Sequence, residues 1–120
     1  TMHLSTSSEL PLRLRWTAVL AGRLRTPIAI SGGVHTVQDA IKGLMAGATV
    51  LQVVSAILRA GPGKLRELVV GVQQWLEEHE YASLAQLRGS MSLQRCPDPG
   101  AFERANYMRV LHDWRPPKDF

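Results

Sequence analysis

The sequence predicts an α/β fold, and three observations carry that expectation. Residues 26–55 read as strand, loop, helix, loop, strand, which is one βαβ unit of about the minimum size, with a right-handed crossover expected. The first loop of that unit, Ser31-Gly32-Gly33-Val34-His35-Thr36, is the kind of glycine turn that joins a parallel strand to a helix. The chain has 120 residues, enough for one domain with a modest core and too few for two.

Each element follows from its residues. Thr1 to Leu10 is rich in Ser and Thr, has no apolar period and reads as a loop. Pro11 suits the first turn of a helix, where its missing N–H costs nothing. Leu12, Trp16, Val19 and Leu20 then recur at helical spacing until Gly22. Thr26 to Ser31 is a short apolar run bounded by Pro27 and the glycine pair, and reads as a buried parallel strand. Thr36 is an N-cap with Asp39 three residues on, a variant capping box that also suits the positive helix end. Val37, Ala40, Ile41, Leu44 and Met45 form an amphipathic face, and Gly47 closes the helix. Thr49 to Ser55 is dense in β-branched residues and is the clearest strand.

The second half reads as helical. Ala56 to Ala60 suggests a single turn before Gly61-Pro62-Gly63 breaks the chain. A helix is expected from about Pro62 to Glu80, with Leu65, Leu68, Val69, Val72, Trp75 and Leu76 on one face. Its acidic end, Glu77, Glu78 and Glu80, opposes the helix dipole and is expected to be solvated. Ser83 to Arg88 reads as a further short helix. Asp98-Pro99 opens a last one, carrying Phe102, Ala105, Met108 or Tyr107, Leu111 and Trp114 and stopped by Pro116-Pro117. Trp16, Trp75 and Trp114 all fall on apolar helical faces and are core candidates.

Composition excludes several classes. The hydrophobic fraction of 45% with 20% charged residues is that of an ordinary globular domain. No apolar run approaches the ~18 residues of a membrane span, and Thr1 to Pro11 does not have the pattern of a secretory leader. One cysteine, Cys96, allows no internal disulfide framework and fits a reducing, cytoplasmic setting. The net charge is +4, and the whole excess lies in residues 1–60, where six basic groups face two acidic ones. No Lys/Arg run is dense enough for a nucleic-acid arm, and aromatics are too few for base stacking. Scattered arginines match a phosphorylated small molecule better.

The glycine loop is where that anion fits. Adjacent glycines let a ligand approach the main chain, and the N–H groups there and at the helix start are unsatisfied. Adjacent parallel strands end on one edge, so the loops after Ser31 and Ser55 should form one pocket. The plainer alternative is that the glycine pair only makes a tight turn, since such a pair alone is a weak signal.

A longer pattern adds to this. Residues 31–48, S-G-G-V-H-T-V-Q-D-A-I-K-G-L-M-A-G-A, followed by T-V-L-Q-V-V-S-A, closely resemble the C-terminal flavin-phosphate segment of the dihydroorotate dehydrogenase family. Gly32, Gly33, Val34, Thr36, Ala40, Gly47 and Ala48 fit its first part, and Gln52, Ser55, Ala56, Gly61 and Pro62 its second. Leu12 to Trp16, Leu87 to Met91, Cys96 to Asp98 and Phe102 to Tyr107 resemble the dihydroorotate dehydrogenase-like branch. Two positions depart from the pattern. Ile30 stands where a small residue is common, and Ala56 where many members have Gly.

The resemblance implies the C-terminal part of a (β/α)8 TIM barrel. Residues 1–82 would supply about two parallel βα units, and residues 83–120 a helical extension of the same domain. It implies an FMN-dependent oxidoreductase that takes a hydride from dihydroorotate in pyrimidine (UMP) biosynthesis. Gly32, Gly33, Ser55 and Ala56 would bind the FMN phosphate through backbone N–H groups, with help from the Ser55 hydroxyl. A barrel of this kind runs to ~250 residues. By the same resemblance the flavin-ring contacts, the Cys or Ser base, a flavin-contacting Lys and the substrate asparagines come from earlier strands, so no catalytic residue is assigned here. The alternative from another class is a non-catalytic barrel remnant that self-associates through open sheet edges.

Other candidates have duller readings. Cys96 lies too far along the chain to be the family's base and reads as an idle or packed thiol. The four histidines have no metal-ligand spacing. His35 alone lies in the pocket loop, where a water-exposed side chain is favoured over a ligand contact. Thr36 and Asp39 are better explained as caps than as catalysts.

Overall fold

A computed structural model describes residues 2–92. Its elements are α1 (Leu10–Ala21), β1 (Ala29–Ser31), α2 (Val37–Ala46), β2 (Val50–Gln52), α3 (Ser55–Ala60), α4 (Gly63–Glu78) and α5 (Leu84–Leu87). The expected last helix, with Trp114, and Cys96 lie outside the described residues. The fold is α/β: β1 and β2 pair in parallel, with Ala29 opposite Val50, Ile30 opposite Leu51 and Ser31 opposite Gln52.

Both strands are shorter than the sequence suggests. Ladder pairing stops at Gln52, and Ser55 is not a strand end but the first residue of α3. At the other end Pro27 has no N–H to offer a neighbour. Nor is β1 buried throughout, since Ile30 is buried while Ala29 and Ser31 are exposed. Helices cover one face of this two-stranded sheet, so alternate side chains point away from them. The N-terminal segment is more ordered than a loop. Ser7–Glu9 form a 3-10 turn that runs into α1, and the Glu9 carboxylate accepts the Thr6 N–H at 2.9 Å.

α2 is closed at both ends as expected. The Thr36 hydroxyl accepts the Asp39 N–H at 3.1 Å, and Asp39 Oδ2 accepts the Thr36 N–H at 3.0 Å, completing the capping box. At the far end Gly47 N–H donates to Leu44 O and Ala48 N–H to Gly43 O, the two bonds of a Schellman closure.

Two apolar clusters hold the helices to the sheet. Leu10, Ile30, Val34, Ala40 and Ala48 join α1, the sheet and α2. Ile41, Leu44 and Leu87, with Trp75 and Leu76, join α2, α4 and α5. α4 comes close to α2 at Gly71, where an added Cβ would lie 2.3 Å from Val37 Cγ2. Leu87 has no exposed surface, so the short α5 is part of this core. Gly89 N–H to Leu44 O and Met91 N–H to Met45 O tie the segment after it to α2.

Two apolar faces differ from expectation. Trp16 is 49% exposed and stands with Leu12 and Leu20, one helical stripe of α1. The stripe and residues 28–31 line an open groove of about 440 Å³. α1 turns its other face, Leu10, Ala18 and Val19, inward, so it is apolar on two sides and the described residues cover only one. On α4 only Leu68 is fully buried. Val72, Trp75 and Leu76 are partly covered, while Leu65 and Val69 face outward. The apolar arc of α4 is wider than its contact with α2.

Candidate functional site

The two strands run in the same direction, so their C-terminal ends share one edge of the sheet. Ser31, Gly32, Gly33 and Val34 leave β1 there, and Gln52, Val54 and Ser55 leave β2. Together with His3, Ser5 and Arg13 they line one cavity of about 260 Å³. That is slightly below the roughly 300–1,000 Å³ of a complete small-molecule pocket, so it suits one polar part of a ligand. The lining is mostly polar and, among the described residues, contains no carboxylate.

The glycine loop is shaped by this chain's own α1. Gly32 and Gly33 have φ of +84° and +90°, where other residues are strained. A Cβ on Gly33 would lie 2.8 Å from Leu10 N, and one on Gly32 would lie 3.0 Å from Arg13 Nη2. The close approach expected of a ligand is thus made first by the start of α1.

A serine joins the two loops. Gly33 N–H donates to Ser5 Oγ at 3.2 Å, and the Ser5 hydroxyl donates to Ser55 Oγ at 3.0 Å. Ser5 N–H also donates to Ser55 Oγ, at 3.2 Å, and Arg59 holds Leu4 O at 3.1 Å. Gly33 and Ser55, 22 positions apart in sequence, therefore lie within hydrogen-bond distance of one oxygen.

Arg13 forms the wall beside Gly32. Its Nε donates to Ser31 O at 2.6 Å and its Nη1 to Glu9 O at 2.8 Å. These two carbonyls clamp the guanidinium between the start of α1 and the end of β1.

Of the four residues expected at a phosphate, Gly32, Gly33 and Ser55 line this cavity. Ala56 does not; it is buried, 2% exposed. Thr36 and Asp39 cap α2, as expected. Burial pushes the Asp39 carboxyl up, but hydrogen bonds from the Ser7 hydroxyl and the His35 and Thr36 N–H groups outweigh it and leave the pKa below the ordinary value. His35 differs from the exposed side chain expected. It is half-buried, and its Nε2 is buried with no hydrogen-bond partner among the described residues.

Ser5 and Arg13 are the pocket residues that periodicity and spacing did not single out. Their contacts join segments far apart in sequence, which leave no local pattern. Besides the resemblance of Leu12 to Trp16, the charge excess of the first half was the available signal, and it does not choose among arginines. Among the described residues no group of three or more His, Cys, Asp or Glu could hold a metal ion. No helix among them is long and apolar enough to cross a membrane.

The chain also matches known proteins in sequence. A family model described as dihydroorotate dehydrogenase matches residues 11–76. The catalytic subunit of dihydroorotate dehydrogenase B (NAD(+)) from Pyrococcus furiosus is 37% identical over 79 residues, which cover 66% of this chain and 26% of that relative. A dihydroorotate dehydrogenase (quinone) from Allorhizobium ampelinum is 41% identical over 86 residues, covering 67% of this chain and 23% of the relative. Another dihydroorotate dehydrogenase (quinone), from Novosphingobium aromaticivorans, is 39% identical over 64 residues, 53% of this chain and 18% of the relative. The chain spans about a quarter or less of the length of these relatives. A match across more than half of its residues, running through the glycine loop, both strands and α4, shows that the chain belongs to the dihydroorotate dehydrogenase family.

Proposed function

We propose that this chain is the FMN-phosphate-binding C-terminal segment of a cytoplasmic (β/α)8 flavoprotein that oxidises dihydroorotate to orotate. In this reading residues 1–82 are the last two βα units of the barrel, and residues 83–120 are a helical extension of the same domain. The observation that carries it is the meeting of Gly33 N–H and Ser55 Oγ on one point at the C-terminal edge of a parallel sheet. The corresponding edge of a (β/α)8 barrel is where phosphates bind, between the loops after the seventh and eighth strands.

The residues present fit that group. Backbone N–H groups of Gly32, Gly33 and Ser55, the three expected residues that line the cavity, would bind the phosphate, with the Ser5 and Ser55 hydroxyls on the same oxygens. Among the described residues no carboxylate lines the cavity to repel a dianion. FMN, when bound, accepts the hydride; the chain's own part is to fix the phosphate end and so the ring's position. The matched segment is shared by relatives named for NAD(+) and for quinone, which suits a role common to both.

The test is a titration of the isotopically labelled chain with FMN and with riboflavin, which lacks the phosphate. FMN should shift the Gly32, Gly33 and Ser55 amide resonances, and riboflavin should leave them in place. Equal shifts with both, or none with FMN, would rule the phosphate site out. The chain alone, even with FMN added, should not reduce a dye with dihydroorotate.

A second reading is favoured by the exposed Leu12, Trp16 and Leu20 stripe beside β1. In that reading the chain is a non-catalytic barrel segment that self-associates through this face and its open sheet edges. Light scattering tests it, as argued below.

A further inference from the structure

We infer that Arg13 is the charged arm of the phosphate site, a positioning residue for the phosphate monoester of the cofactor; this rests on the reading proposed above. Three observations converge on it. Arg13 lines the same cavity as Gly33, Ser5 and Ser55. Its Nε and Nη1 are spent on Ser31 O and Glu9 O, and neither acceptor is a carboxylate, so no ion pair compensates its charge among the described residues. Its Nη2 has no acceptor among the described residues and lies 3.0 Å from where a Cβ at position 32 would stand.

The carbonyl clamp gives this arrangement its consequence. A free arginine must lose side-chain entropy to grip a ligand, whereas this one is already held by two hydrogen bonds. Its remaining N–H groups are therefore pre-positioned beside the glycine loop. A guanidinium matches a phosphate's oxygens in charge and in hydrogen-bond geometry. Gly32 has a role in this that its place in a turn does not reveal. A Cβ there would lie 3.0 Å from Nη2, so a larger residue would force the guanidinium to give by a few tenths of an ångström, besides being strained at φ +84°. The neutral donors of the pocket, Gly33 N–H and the two serine hydroxyls, set where the phosphate sits. Arg13 supplies the charge that holds a dianion there against water.

The experiment uses the labelled full chain and two probes, inorganic phosphate and FMN. In the unaltered protein both probes should shift the Arg13 side-chain N–H resonances over the same concentration range as the Gly33 amide. Added salt should weaken both responses together. Arg13→Gln should weaken phosphate binding by about tenfold or more, and Arg13→Lys should recover part of the loss. Spectra of residues in α2 and α4 report whether each variant is folded, and the unaltered protein answers the question even if Arg13→Gln does not fold. A Gly33 amide that responds while the Arg13 resonances stay fixed overturns this inference and leaves the proposed function standing. A Gly33 amide that responds to neither probe overturns both.

Discussion

At residue 33 a single methyl group tests the glycine loop. Gly33 sits at φ +90° with Leu10 N only 2.8 Å from where a Cβ would be. Gly33→Ala should therefore cost about 2 kcal/mol or more, from backbone strain and from moving the start of α1. The midpoint of urea unfolding measures it, and an unchanged midpoint would show that the loop relaxes freely. Asp39 gives a second, pH-dependent test. Its carboxylate is depressed below its ordinary value of 3.8, so it stabilises the fold above that pH. This contribution is lost as pH falls through the depressed folded value, because the unfolded chain takes up the proton first. Asp39→Asn should cost about 1–2 kcal/mol at pH 7 and less with increasing acidity below pH 4. A parallel loss at all pH values would count against the carboxylate's role. The cap at Asp39 was legible in sequence because Thr36 and Asp39 are local partners. The third loop partner, Ser5, was not, because its bond to Ser55 spans 50 positions and obeys no periodicity.

Helices and strands differed in how far their sequences defined them. α2 and α4 end within a residue or two of where capping and periodicity placed them. Hydrogen bonds within a helix are local, so its ends are written locally. The strands are each three residues long, because their extent depends on how the ladder registers across the crossover. Glu80 shows a local cost that the sequence hinted at without explaining. It follows the end of α4 with φ +59°, the left-handed conformation that glycine adopts most easily there. It is also acidic, at the negative end of the helix dipole, and exposed. Glu80→Gly removes both penalties and should stabilise the chain by about 0.5–1 kcal/mol. Thermal unfolding of the variant reads this directly. A lower melting temperature would mean that Glu80 makes a compensating contact in solution.

For the molecule as a whole, the uncovered surface matters as much as the core. A parallel sheet is stable when both faces are covered and its edges are paired or capped. Here two short strands form the whole described sheet, and alternate side chains such as Val50 point away from the helices. Beside β1 lies the Leu12, Trp16 and Leu20 groove, where another strand and helix would pack if the barrel continued on that side. The sequence placed Trp16 in a core because helical periodicity shows that a residue is on an apolar face. It does not show whether anything faces it. Burying a side chain such as Trp16 is worth about 2–3 kcal/mol, so two copies placing these stripes together gain enough to associate at moderate concentration. The chain should therefore scatter light as a dimer or larger species, with its tryptophan emission shifting to shorter wavelength as concentration rises. Trp16→Glu should move the population toward monomer, because a carboxylate is costly to bury without a partner. The fold should survive, since residue 16 lies on the uncovered side of α1. A chain that stays monomeric at all concentrations would remove self-association as a reading. It would leave the groove as a surface that the remainder of a barrel covers.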